Sequence, residues 1–360
     1  MPAAPDPSGP PGPPASLAAP GLPRTSREIR LAATPEGLPE ARHLTVVETP
    51  LPQPGPGQLL VRNSHFALFA GLRTLMGAEN DGVPLPPLRA GDTVIGPAVG
   101  EVVAAPAGSR LRPGDPVTHL LGWREYAVLP AGDAAALGDV LPDPVAHLAQ
   151  GSSAYGALTR LAEVRPGDTV LVTGAAGAVG VLAGQIARLL GAGTVIGTTG
   201  SPAKAERLVA ELGYDAVVLR GPEDFTRRLA EAAPDGIDVL LDLVGGEQLT
   251  AAVAVARPGA RFALVGALSG QLAAGRGGGS APAEIDTYRM IVKGLSVRGY
   301  TGGDHPDVGA EWNRRFGAWL RSGRITFPYT AVAGLGNAPR AFEELLRGRH
   351  FGGAVVEVFS

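Results

Sequence analysis

Apolar and polar residues alternate along the first third of the chain, and then the period changes. Glu28-Ile29-Arg30-Leu31-Ala32, His43 to Glu48 and Gln58 to Asn63 each alternate with period two. That period puts every second side chain of an extended strand on one face. Pro50, Pro52, Pro54 and Pro56 separate the last two runs, and Asp92 to Val103, Asp115 to Leu121 and Trp123 to Leu129 continue them, with a turn at Arg112-Pro113-Gly114-Asp115. The pattern predicts a β-rich module of short, twisted strands. From about Leu148 strand and helix periods alternate. Strands are predicted at 169–173, 194–198, 216–219, 237–243 and 261–266, the order of an α/β fold with a doubly wound parallel sheet. After Leu295 the chain predicts helices at 308–321 and 338–347, a strand near Ile325 and a last strand at Ala354 to Phe359. A terminal strand needs a sheet, so the last one is expected to join the first module.

Residues 1–26 have no such period and hold nine of the 34 prolines. They cannot bury enough apolar surface to offset their ordering entropy, and a disordered tail is expected. They lack the charged start and apolar centre of a secretory signal, which leaves the cytoplasm as the expected location.

Composition narrows the class. The 360 residues suffice for two domains, 45% are hydrophobic, and the net charge is −3 without a basic stripe. Nucleic acid is therefore not an expected partner. No apolar run spans a membrane without interruption by charge or glycine. Cysteine is absent, which excludes disulfides, a thiolate nucleophile and cysteine-ligated zinc. Six histidines without ligand spacing lead to the expectation of no metal. A small-molecule substrate is the expected partner.

The chemistry concentrates at 169–204. Thr169-Val170-Leu171-Val172-Thr173 is a strand candidate. Gly174-Ala175-Ala176-Gly177-Ala178-Val179-Gly180 follows at once. A helix then begins, with Val181, Leu182, Gln185, Ile186, Leu189 and Leu190 at turn spacing. Strand, glycine turn and helix in that order form the context in which A-x-G-x-x-G signifies dinucleotide binding. Small side chains let the backbone approach a pyrophosphate at the helix N-terminus. An NAD-selective site carries Asp or Glu about 20 residues further on. Here Thr199, Gly200 and Ser201 stand after the second strand, with Lys204 and Arg207 following. Hydroxyls and a cation suit a ribose phosphate, so the expected cofactor is NADP.

Several motifs together resemble the zinc-independent medium-chain dehydrogenase/reductases, in the branch of prostaglandin reductases and alkenal double-bond reductases. They are Gly122-Trp123-Arg124-Glu125-Tyr126, the glycine turn, Asp242-Leu243-Val244-Gly245-Gly246-Glu247, Val265-Gly266-Ala267-Leu268-Ser269 and Gly334-Leu335-Gly336-Asn337-Ala338-Pro339. The resemblance spans roughly 27–359. It implies a GroES-like catalytic domain at 27–147, a Rossmann domain at 148–300, a return to the catalytic domain at 301–360, and a homodimer. It also implies reduction of the C=C bond of α,β-unsaturated carbonyl compounds by NADPH. By the same resemblance Lys204 meets the ribose phosphate, Val244, Gly245 and Gly266 to Leu268 run beside the cofactor, and Tyr126 and Tyr155 occupy family tyrosine positions.

The departures fall mostly around the substrate. Family members read D-P-Y-M-R where this chain has Phe69-Ala70-Gly71-Leu72-Arg73, and N-x-G-K where it has His350-Phe351-Gly352-Gly353. Arg220 replaces a tyrosine near the ribose phosphate. Val292 stands where relatives have a tyrosine, and Tyr288 lies one helical turn earlier. The resemblance thus implies a pocket of Phe69, Gly71, Tyr126, Tyr288 and Val292, reshaped for a bulky substrate, with His350 and Gly352 at the cofactor. Proton donors in order of expectation are Tyr288, Tyr155 and Tyr126, then His65 and His350. Two other functions stay open on this scaffold: a quinone, carbonyl or imine reductase, and a non-redox cyclase or isomerase that holds NADP structurally. The loop Gly270 to Ala281, with five glycines, is either a lid or a surface loop.

Overall fold

A computed structural model describes residues 21–77, 85–221, 224–273 and 279–360. Residues 1–20 of the expected tail and 274–278 of the glycine-rich loop lie outside them.

β1 (Thr25–Leu31) and β2 (Leu44–Pro50) pair antiparallel as a two-stranded sheet. The fold begins earlier than Arg27: Ser26 is buried in β1, and the carbonyl of Arg24 accepts from Leu51 N at 2.9 Å. The expected tail was therefore drawn several residues too long, because Thr25 and Ser26 gain a β2 partner that no local period reveals. β3 (Gln58–Leu68), β4 (Ala98–Ala104), β5 (Pro116–His119), β6 (Tyr126–Pro130) and β7 (Ala135–Ala136) pair antiparallel. The short helix α1 (Leu72–Leu75) follows β3. Leu59 and Val61 on β3 reach one core cluster and Leu60 another, as period two requires.

The second half is a parallel sheet. Its strands are β8 (Thr169–Val172), β9 (Thr194–Thr199), β10 (Ala216–Leu219), β11 (Ile237–Asp242), β12 (Ala256–Leu264) and β13 (Ser296–Gly299), in the order β10-β9-β8-β11-β12-β13. α2 (Gly151–Gly156), α3 (Gly180–Leu189), α4 (Pro202–Leu212), α5 (Phe225–Ala232), α6 (Gly246–Val255), α7 (Leu268–Gln271) and α8 (Thr287–Lys293) belong to this half. Its strands are buried on both faces: Val170, Val172 and Val239 lie in one core, and Leu171, Ile196 and Leu240 in the other. The strand order reverses between β8 and β11, which opens a crevice at their carboxyl ends. β13 was not foreseen. Its sequence Ser-Val-Arg-Gly has a single large apolar residue, too short for a period.

α9 (Val308–Arg321) comes next, then β14 (Tyr329–Ala333), α10 (Ala338–Leu346) and β15 (Gly353–Glu357). β15 pairs with β3 and with β14, so the last strand does complete the first sheet, which has seven strands among the described residues. The strand expected near Ile325 is displaced to Tyr329. Pro328, which has no N–H, stands just before the observed strand, and Ile325 is instead a core residue. α9 packs on α2 through Trp312 and Tyr155, and Trp312, Phe316 and Trp319 join the core beneath the parallel sheet. The return at 301–360 is thus split: the helix stays with the parallel sheet and only the strands and α10 cross back.

Candidate cofactor and substrate site

The glycine turn leaves β8 at Gly174, whose φ of +60° favours glycine. Gly180 opens α3, and a Cβ there would lie 2.5 Å from Gly174 O, so helix and turn close up only around glycine. Tyr214 is buried beneath, donating to Gly180 O at 2.7 Å. No backbone hydrogen bond is made by the amides of Val179 and Gly180 at the helix start among the described residues, and the first amides of a helix are the groups that can receive a pyrophosphate. Ala175 and Ala176 are buried under the turn, whereas Gly177 is exposed and Ala178 and Val179 are half-buried.

Polar residues that the sequence did not single out brace this turn. Thr198 Oγ1 accepts from Gly174 N at 3.0 Å and donates to Gln248 Oε1 at 2.6 Å. Thr173 Oγ1 donates to Asp242 Oδ1 at 2.6 Å, and the Asp242 carboxylate also accepts from Val244 N and Gly245 N. All four side chains are buried. Asp242 stood within a quoted motif, but only the neighbouring strand ends reveal that its carboxylate holds a backbone turn. The next strand end hangs from that turn. Leu268 N donates to Leu243 O and Ser269 N to Val244 O. Gly266 sits so close to Leu243 that a Cβ would be 2.7 Å from its carbonyl oxygen. Ala267 caps α7.

At the end of β9 the hydroxyl of Ser201 caps α4, accepting from Lys204 N at 3.4 Å, and keeps its own proton to donate. Lys204 Nζ donates to the carbonyls of Gly348 and His350, and burial pushes its pKa below the ordinary lysine value. Arg220 lies exposed over Gly200: a Cβ on Gly200 would be 3.4 Å from Arg220 Nη2. Its backbone N donates to Thr199 O, and its guanidinium has no acidic partner among the described residues. Two cations with no carboxylate partner among the described residues, beside an acid-free strand end, are compatible with a ribose phosphate. Gly352 N donates to Ala176 O at 2.9 Å, and the ring of His350 turns to Ala341 O, so His350 faces this site with its carbonyl and not its imidazole. These contacts bring Lys204, His350 and Gly352 to the glycine turn and α4, and Gly174 lies beside Val244, where a Cβ would be 3.3 Å from the valine side chain.

The tyrosines behave differently. Tyr155 is buried, its hydroxyl donates to Glu311, and burial and that bond hold its pKa above the ordinary value. It braces α2 on α9 and is not a free acid. Tyr126 is also buried, edge-on to Phe359 and packed with Leu51 and Leu60. None of these neighbours belongs to the crevice, so Tyr126 is neither donor nor pocket wall here. Tyr288 is 73% and Val292 59% exposed on α8, which buries no residue. Neither lines the two cavities described below. His65 pairs with Ser64 on β3, outside the crevice. The correction has one cause: a tyrosine's role depends on what its hydroxyl meets across the fold.

Gly71 has φ −59° and ψ −18°, a conformation open to any residue. A Cβ there would lie 3.3 Å from the Phe69 ring and 3.9 Å from Gln271 Nε2. Gln271 on α7 reaches Thr74 Oγ1 at 3.5 Å, so the space beside Gly71 is shared by Phe69 and Gln271 and is not simply vacant. Surface cavities of about 420 and 550 Å³ in the catalytic domain hold none of the dinucleotide residues.

Comparison with known proteins agrees with this geometry. Residues 178–316 match the zinc-binding dehydrogenase family, and residues 27–137 match the N-terminal domain of oxidoreductase family. Prostaglandin reductase 1 of Mus musculus is 30% identical over 331 residues, covering 89% of this chain and 96% of that protein. The chain belongs to the NADP-dependent reductase branch of the medium-chain dehydrogenase/reductase superfamily. The NADPH-dependent curcumin reductase of Escherichia coli (strain K12) is 29% identical over 333 residues, 91% of this chain and 95% of that protein. The crystal structure of CurA from Vibrio vulnificus in complex with NADPH superposes with a TM-score of 0.83 at 30% identity, covering 93% of this chain and 99% of that one. Like these relatives, this medium-chain reductase is an NADP-dependent oxidoreductase. The helix start after the glycine turn and the cations Lys204 and Arg220 are chemically compatible with NADP. The residues present do not fit the zinc named in the family description. The sequence has no cysteine, and the described residues hold no group of three metal-ligating side chains.

Proposed function

We propose that this reductase is an ene-reductase, reducing the C=C bond of α,β-unsaturated aldehydes and ketones at the expense of NADPH. The observation that carries the reading is the meeting of Phe69, Gly71 and Thr74 with Gln271 on α7, directly after the strand end Gly266–Leu268. A carbonyl compound held there has an apolar ring on one side and an amide and a hydroxyl on the other. NADPH, when bound, would supply the hydride that the electron-poor β-carbon accepts. Charge then builds on the substrate oxygen, and the side-chain amide of Gln271 is the donor we assign to it. The proton for the α-carbon comes from water, since Tyr155 is committed to Glu311 and Tyr126 is packed against Phe359.

α8 presents Tyr288, Ile291 and Val292 to the outside at helical spacing, and β13 is the edge of its sheet among the described residues. An apolar stripe near an open edge suits a second copy of the chain, and a homodimer is part of this proposal. Light scattering that shows a monomer at micromolar concentration would count against it. The functional reading is tested by NADPH absorbance with an open-chain enone, a quinone and an imine. Consumption with the enone, accompanied by the saturated ketone as product, supports it. Consumption only with the quinone or imine assigns the other bond, and tight NADP binding with no consumption points to non-redox chemistry.

A further inference from the structure

The segment 348–353 belongs to the catalytic half, yet it lies on the face of α4 that carries the phosphate-binding lysine. Residues three apart on α4 hold it. Lys204 Nζ donates to the carbonyl oxygens of Gly348, at 2.7 Å, and His350. Arg207 lays its guanidinium 3.9 Å from the centroid of the Phe351 ring. Two hydrogen bonds to Glu211, at 2.7 and 2.8 Å, fix that guanidinium from its other edge. Phe351 is only 7% exposed and is part of the core beneath the glycine turn. The backbone adds a third hold. Gly352 N bonds Ala176 O, and Gly352 has φ +76° with Pro328 O 2.1 Å from where a Cβ would stand. The main chain on both sides of Phe351 is therefore anchored against the phosphate turn.

The consequence for Lys204 is geometric. An ammonium has three N–H donors. Two are taken by the carbonyls, and no carboxylate lies within ion-pair reach of Nζ among the described residues. The third is left with its direction set by the other two. A lysine free in solvent loses the freedom of its long side chain when it meets a phosphate, whereas this one has lost most of it beforehand. The two carbonyls stay in place only while the segment is seated, and Phe351 under Arg207 is the side chain that seats it. We infer that Phe351 is a positioning residue for cofactor specificity: it holds the Gly348 and His350 carbonyls on Lys204 and so aims the remaining ammonium N–H at the ribose phosphate. Discrimination between NADP and NAD is then set in part from the catalytic half of the molecule.

Equilibrium binding of NADP⁺ and NAD⁺ to the full-length chain, by titration calorimetry, tests this. Phe351→Leu keeps the apolar fill and removes the aromatic face. Its NADP⁺ Kd is expected to rise about tenfold with NAD⁺ Kd unchanged, as for loss of one partly desolvated cation–π contact. Phe351→Tyr restores the face and should restore NADP⁺ affinity. In a Lys204→Ala background Phe351→Leu should have no further effect on NADP⁺, because the two act through one group. Equal weakening for both dinucleotides, no weakening in Phe351→Leu, or full additivity in the double variant would overturn the inference. Melting temperatures of all variants identify any that fail to fold, and the tyrosine variant then carries the comparison.

Discussion

Gly71→Tyr introduces the large side chain that the family resemblance implies for this segment, and the structure says how much it must disturb. The backbone at Gly71 accepts any residue, so no strain comes from φ and ψ. The cost is steric. The new Cβ alone would lie 3.3 and 3.4 Å from two atoms of the Phe69 ring, tight enough that Phe69 must give by a few tenths of an ångström. The phenol beyond it must then displace either Phe69 or Gln271. Overpacking of this kind costs about 1–3 kcal/mol, which corresponds to roughly five- to 150-fold in an equilibrium constant. The penalty is expected on substrate binding, because neither Phe69 nor Gln271 is among the residues assigned to the dinucleotide. The assay is steady-state reduction of a small and a bulky enone, with NADP⁺ affinity measured separately and Gly71→Ala as a size control. KM for the bulky enone should rise within that range or turnover vanish, the small enone should suffer less, and NADP⁺ affinity should stay constant. Unchanged kinetics with the bulky enone, or a loss of NADP⁺ affinity of similar size, would refute the placement of Gly71 in the pocket.

Three further outcomes follow from single contacts. Tyr288→Phe should leave turnover and its pH profile near those of the parent, and a loss of about 10²-fold would return Tyr288 to the role of acid. Gly184→Ala should lower stability by about 1–3 kcal/mol, read as a fall in melting temperature, because its Cβ would stand 2.3 Å from the buried Tyr214 ring; an unchanged melting temperature would show that Tyr214 can move. Burial and nearby Arg124 push His119 down from 6.5 to about 4, so it is neutral in the fold and gains a proton first in the unfolded chain. Its contribution is complete above pH 6.5 and lost as pH falls toward 4, by about 3 kcal/mol. His119→Asn should flatten that part of the stability profile, and an identical acid-side slope in both proteins would contradict the assignment.

The sequence made the dinucleotide half legible because its signals are local. The run from Thr169 to Gly180 contains a strand, a turn with a required glycine and a helix start, and each needs only its own neighbours to be recognised. Lys204 followed from the missing acid at the end of β9. What remained hidden depends on residues far apart. Thr198 and Gln248 are separated by 50 positions, Tyr155 and Glu311 by 156. Nothing local to Tyr155 shows that a carboxylate will take its hydroxyl, so a buried brace and a proton donor look alike in sequence. β13 was missed because four residues cannot display a period, and Thr25 was left in the tail because its strand exists only through pairing with Pro50. The space at Gly71 was read from one missing side chain, while Phe69 and Gln271 occupy it only after both halves have folded together.

Hydride transfer to an enone is tested most directly by isotope position. The purified chain is incubated with NADPH carrying deuterium at the transferring C4 position and an open-chain α,β-unsaturated ketone, and the product is examined by NMR. The account predicts a saturated ketone with deuterium on the β-carbon alone, and, in heavy water with unlabelled NADPH, deuterium on the α-carbon. An allylic alcohol labelled at the carbonyl carbon, or recovery of unreduced ketone with NADP still bound, would contradict it.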